Sequence, residues 1–208
     1  MGKPSFKLMQ QKNISFTSVE KFVFDLLKRK LPKDLKYHRP EHTKDVLAAA
    51  IRLGKKANIN EHDMLLLKTA ALFHDLGFIK RKQNNESIGA KLAQQHLPQF
   101  GYGKNDILKI KRMILATTVP QKPRTQLDKL LCDADLDNLG RNDCFAKSEL
   151  VRKELSLSKS SQWQKNLLVF LTKHRYHSPE AQRLRNTQKQ KNIKRLKTLL
   201  KNNYRNLY

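Results

Sequence analysis

The chain is 208 residues long and carries 43 Lys and Arg against 18 Asp and Glu, a formal net charge of +25. That length suits one domain, or one domain with a helical extension, and is enough to bury a core. No apolar run approaches the roughly 20 residues that span a bilayer, the first 15 residues lack the apolar centre of a signal peptide, and Phe6 stands where a myristoylation motif needs Ser or Thr. A soluble cytoplasmic protein that makes no membrane contact is expected.

From the N-terminus onward, nearly every segment has helical periodicity. Thr17-Ser18-Val19-Glu20 has the pattern of a capping box and predicts a helix with Phe22, Val23, Leu26 and Leu27 on one face. Pro40 fits a helix start and leads the apolar face Val46, Leu47, Ala50 and Ile51. A third helix runs from Asn60 or Glu61 through Leu65, Leu66, Ala70, Leu72 and Phe73, with Gly77 as its stop. Ser87 to Leu97 is next, ended by Pro98, followed by Lys104 to Ala116 with Ile107, Leu108, Ile110 and Ile114 at helical spacing. Thr125 caps the helix of Leu127, Leu130 and Leu131. Two more helices are expected between Asp143 and Arg175, and a last one opens with Ser178, Pro179 and Glu180 as cap and first turn. No useful alternating β pattern and no repeat is present. The expected fold is all-α, a compact helical bundle.

The positive charge is unevenly spread. Residues 1–36 hold 9 basic and 3 acidic side chains, residues 37–140 hold 17 and 11, and residues 141–208 hold 17 and 4. We therefore expect an N-terminal helical segment (1–36) packed on a core (37–140), with basic C-terminal helices (141–208) in the same domain. Such a field attracts polyanions, so non-specific nucleic-acid binding through the last helix is one expectation; a solvated helix face accounts for the same charge without function. Cys132 and Cys144 have no metal-site spacing and are expected to be reduced core thiols. There is no GxGxxG, GxxxxGK[ST] or GxSxG segment, so phosphate-cradling loops and nucleophile elbows of those types are excluded.

The segment with most chemistry is Ala-Ala-Leu-Phe-His-Asp-Leu-Gly-Phe (70–78), in which His74 and Asp75 end an apolar run. Adjacent helical residues point about 100° apart, so both side chains reach one ion only near a helix end. Neutral imidazole with carboxylate suits a divalent metal that also carries water. Upstream lies Tyr37-His38-Arg39-Pro40-Glu41-His42-Thr43, and downstream Cys132-Asp133-Ala134-Asp135-Leu136-Asp137. A His, a His-Asp pair and an Asp in this order resemble the HD superfamily of metal-dependent phosphohydrolases, and the flanks are similar to those of small bacterial HD proteins. The segments Ala116 to Pro123 and Phe170 to Asn192 extend the likeness over most of the chain.

The resemblance implies a metal held by His42, His74, Asp75 and one aspartate of the 133–137 cluster. Asp135 is favoured because it directly follows Ala134, while Asp133 and Asp137 would support it or face solvent. It implies one divalent ion (Mn, Fe, Co, Mg or Zn), since only His96 lies between His74-Asp75 and Asp135, near a helix end where a structural role is expected. It implies His38 as a general acid, against the alternative of a histidine bonded to loop backbone. Glu86 is a candidate water-orienting base or simply a first-turn acid; Asn85 before it departs from a His-Glu pattern of relatives. Lys80, Arg81 and Arg175 are candidate phosphate contacts. The implied activity is metal-dependent hydrolysis of a phosphomonoester or phosphodiester, with a nucleotide as the foremost substrate. The alternative is a non-catalytic module that senses a nucleotide or binds nucleic acid.

Overall fold

The computed structural model describes residues 14–158 and 160–205; the remainder of the 1–36 segment, residues 1–13, lies outside them. Among the described residues the chain is all-α: nine helices joined by turns, with no strand. They are α1 (Phe16–Lys30), α2 (Pro40–Lys56), α3 (Glu61–Phe73), α4 (Asn85–His96), α5 (Lys104–Ala116), α6 (Gln126–Asp135), α7 (Cys144–Glu154), α8 (Ser161–Lys173) and α9 (Pro179–Arg205). Three short 3-10 turns cover Leu76–Ile79, Leu97–Phe100 and Asp137–Gly140. No helix is long and apolar enough to cross a membrane among these residues.

The centre is α3. Asn60 caps it, its side chain accepting from the Asp63 N–H at 2.8 Å, and its second half buries Leu66, Leu67, Thr69, Ala70, Ala71, Leu72 and Phe73. A helix apolar on most sides must be enclosed, and α1, α2, α5 and α6 surround it. Val19 and Val23 of α1, Val46, Ala50 and Leu53 of α2, Ile110 and Ile114 of α5, and Leu130 and Leu131 of α6 complete the main core. Leu139, Cys144, Leu167, Leu171, Ile193, Leu196 and Leu200 form a smaller apolar cluster under α7, α8 and α9. Cys132 and Cys144 are buried free thiols.

Three local expectations need correction. The first helix is capped by Ser15, whose side chain accepts from the Ser18 N–H, not by Thr17. The fourth starts at Asn85 rather than Ser87, after Asn84 in the left-handed region at φ 56°. Gly77 does not terminate α3 by a left-handed turn; it lies inside the 3-10 turn because α4 crosses there. A Cβ on Gly77 would lie 1.9 Å from the Asn85 carbonyl oxygen, and one on Gly89 of α4 would lie 2.5 Å from the Phe73 carbonyl oxygen. Two glycines thus let α4 press against the end of α3, where His74 and Asp75 stand.

Candidate metal centre

α3 ends at Phe73, His74 keeps right-handed helical angles, and Asp75 leaves them at φ −107°, ψ 6°. The helix end turns the two adjacent side chains toward one point. His42, in the first turn of α2 behind Pro40, and Asp135, the last residue of α6, come to the same point. His42 Nε2 lies 3.2 Å from Asp75 Oδ2, 3.3 Å from Asp135 Oδ1 and 3.4 Å from His74 Nε2. His74 Nε2 lies 3.2 Å from Asp75 Oδ2 and 3.6 Å from Asp135 Oδ1. His42, His74 and Asp135 together meet the spacing of a metal-binding group.

The donor set fits a divalent cation. His74 Nδ1 donates to the Ala71 carbonyl at 2.8 Å, which fixes the tautomer and leaves Nε2 as an acceptor aimed at the cluster. Asp75 Oδ2 is buried and accepts no well-formed hydrogen bond although two imidazoles flank it. Burial disfavours charge on His42 and His74, yet Asp75 and Asp135 override it and hold both rings above the ordinary histidine range. Burial also opposes charge on Asp75 and Asp135, yet the imidazoles pull both carboxyls below theirs, with the charges of His74 and His38 foremost at Asp75. Two half-buried carboxylates draw protons onto two buried imidazoles, so the cluster calls for positive charge at its centre.

A cavity of about 400 Å³ opens beside this cluster, lined by Asp75, Asp135, Tyr37, His38 and Glu86 among others. His38 precedes α2 in the turn. Its ring stacks on Phe78 with centroids 4.2 Å apart, and its Nε2 lies 4.0 Å from Asp75 Oδ2. Its Nδ1 bonds to Glu154 Oε1. Glu154, at the end of α7, is 7% exposed, and its Oε2 accepts the N–H groups of Lys36, Tyr37 and His38 at 2.9, 2.8 and 3.0 Å. Burial pushes the Glu154 carboxyl up, but His38 and these donors hold it down at about 2. The Tyr37 ring packs on His42 at 4.6 Å, and burial with Asp135 and Asp75 keeps its phenol neutral.

The remaining expected site residues are dispersed. Glu86, in the first turn of α4, lines the cavity. Lys80 and Arg81 are exposed and are not among its lining residues. Arg175 is exposed and donates to the carbonyls of Thr172 and His174; it lines a neighbouring cavity that shares Val119, Leu136, Asn166 and Phe170 with the first. Asp133 and Asp137 are buried, not solvated. Asp133 accepts the N–H groups of His177 and Ser178, both at 2.7 Å, and Asp137 accepts two bonds from Arg185 and one from Arg52. The His96 ring packs tilted against Phe22, centroids 4.8 Å apart. Sequence reasoning missed Glu154: a lone acid 116 residues from its histidine carries no local pattern.

The HD domain family profile matches residues 39–137, a span that ends before α7 and so excludes Glu154. A predicted HD superfamily hydrolase from an uncultured Thermotogales bacterium has a similar structure, with TM-score 0.64 and 16% identity over 89% of this chain and 91% of that one. YpgQ of Bacillus subtilis, solved in complex with ADP, is similar at TM-score 0.65 and 20% identity, over 90% and 94% of the two chains. A sequence search of curated proteins finds no significant match.

Proposed function

We propose that the chain, whose residues 39–137 match the HD domain family, is a metal-dependent phosphohydrolase that cleaves a phosphomonoester or phosphodiester bond, a nucleotide being the foremost substrate. The observation that carries this reading is the largely buried cluster of His42, His74 and Asp135 with Asp75 beside them, one Asp75 oxygen unbonded, next to a ligand-sized cavity. These four residues would hold one divalent ion, which would supply acidified water and offset charge on a phosphoryl oxygen.

The chain's own groups do the rest. Glu154 accepts the Nδ1–H of His38, so Nε2 faces the cavity; as general acid the ring gives its Nε2 proton to the leaving ester oxygen and is left neutral, its Nδ1–H still on Glu154. Glu86, on the cavity wall, orients water. Tyr37, neutral and packed on His42, keeps that ligand in place. Lys80, Arg81 and Arg175 draw the anionic substrate toward the mouth from solution. The ADP complex of the Bacillus protein lends weight to a nucleotide.

Phosphate release from a panel of nucleotides with Mn²⁺, Co²⁺, Mg²⁺ or chelator tests the reading. Turnover that needs metal and is lost in Asp75→Ala is the expected result. A protein with stoichiometric metal and no turnover on any member would be a sensing module instead.

A further inference from the structure

The cavity beside the metal cluster has a second half with different chemistry. Val151 of α7 and Trp163, Leu167 and Phe170 of α8 form an apolar wall, which includes the chain's single tryptophan. Asn85 and Asn138 line the same cavity. The Oδ1 atom of each is buried and accepts no hydrogen bond. Asn85 is 9% exposed, and its Nδ2 donates to the Lys82 carbonyl at 3.5 Å. That contact sets the amide's orientation, since turning it over would put Oδ1 against another carbonyl oxygen. Buried acceptors left without a donor are costly, and native proteins rarely keep two in one place. The carboxylate of Glu86 adds a further acceptor to the lining. This surface asks its ligand for donors.

We propose that this half of the cavity recognises the organic part of the substrate: a flat or apolar group that lies on Trp163 and Phe170 and donates at least two hydrogen bonds, to Asn85 Oδ1 and Asn138 Oδ1. The donors are hydroxyl or amino groups, so a plain alkyl or aryl phosphate leaves both acceptors unmet and is a poor ligand. A cavity of about 400 Å³ is large enough for such a group. The proposal rests on the hydrolase reading only for what occupies the metal end.

Trp163 reports occupancy directly, because it is the sole tryptophan and stands on the wall. Its fluorescence in the full chain, with excitation beyond the nucleobase band, is titrated with three ligands. These are adenosine 5′-monophosphate, its 2′,3′-dideoxy analogue and its 6-desamino analogue. The parent is expected to bind at least about tenfold tighter than one of the analogues, the loss expected when a buried acceptor goes unpaired. In Asn85→Ala or Asn138→Ala that discrimination should shrink to less than about twofold. Equal affinity for all three ligands, discrimination that survives in both variants, or no fluorescence response overturns the proposal. If either variant is unstable, the three-ligand comparison on the wild-type chain decides alone. Binding is read without turnover, so discrimination without phosphate release keeps this subsite and removes the hydrolase, and release without discrimination does the reverse.

Discussion

Glu154 carries the most informative single substitution. Its carboxylate accepts three consecutive backbone N–H groups and the His38 ring, so Glu154→Ala strands four donors in a half-closed site. A hydrogen bond to a charged group contributes about 1.5–3 kcal/mol net, and unmet donors add to the loss. Allowing for partial rescue by water at the exposed edge of the turn, we expect about 3–5 kcal/mol of destabilisation, a large part of the 5–15 kcal/mol typical of a domain. At roughly 2–4 °C per kcal/mol for a chain of this size, that is a melting-temperature drop on the order of 10 °C. Glu154→Gln separates structure from chemistry. Its amide oxygen still accepts the backbone donors, but its NH₂ faces His38 Nδ1 and forces the opposite tautomer. Calorimetry should show Glu154→Gln within about 2 kcal/mol of wild type, while kcat falls on the order of 100-fold, the scale of a general acid's contribution, with metal content unchanged. Wild-type turnover in Glu154→Gln would remove Glu154 from the proton transfer, and an unchanged melting temperature in Glu154→Ala would show that water replaces its carboxylate.

Other consequences are open to measurement. Gly77→Ala places a methyl group against the Asn85 backbone, so urea unfolding should show a loss of about 3 kcal/mol together with weaker metal binding; a variant as stable as wild type would show that α4 gives way easily. Asp137→Ala leaves the guanidinium groups of Arg52 and Arg185 without their shared carboxylate, and about 3–5 kcal/mol should be lost in chemical denaturation, where less than about 1 would mean that water replaces it. Burial, with the charges of Lys189, His177 and Arg175, lowers the His174 pKa from its ordinary 6.5 to about 3. The unfolded chain therefore binds the extra proton between those values, and stability should hold above pH 6.5 and fall as pH drops toward 3. Glu154, held at about 2 against an ordinary 4.5, adds a further fall below pH 4.5, and His174→Gln should flatten the upper part of the curve without touching the lower.

Much of the helix plan was readable because local chemistry and tertiary packing agree. The Thr125 cap, the helix start at Asn60 or Glu61 and the Lys104–Ala116 periodicity reappear in the structure. Where two signals compete within a few residues, packing decides: Ser15 and Thr17 are both good caps, and burial of Val19 and Val23 goes with the earlier one. Gly77 looked like a helix stop since glycine often is one, whereas its actual constraint is a backbone from another element that no local pattern reveals. That His42, His74, Asp75 and Asp135 would meet was legible because they sit in short distinctive segments. Partners that meet only on folding were hidden. Glu154 reaches His38 across 116 residues, and Lys189, in a helix of Lys, Arg and Gln, is buried by its bond to the His174 carbonyl at 2.6 Å. Asp133 and Asp137 have one composition and neighbourhood in sequence, but one holds the start of α9 and the other an arginine pair.

His42, His74, Asp75 and Asp135 are proposed to hold a metal ion. Chelator-treated protein reloaded with Mn²⁺, freed of excess and assayed for metal per chain, tests this most directly. We expect one ion per wild-type chain and none in His74→Ala or Asp135→Ala, with both variants folded by circular dichroism. A wild-type chain that retains no ion, or variants that keep theirs, would contradict the account.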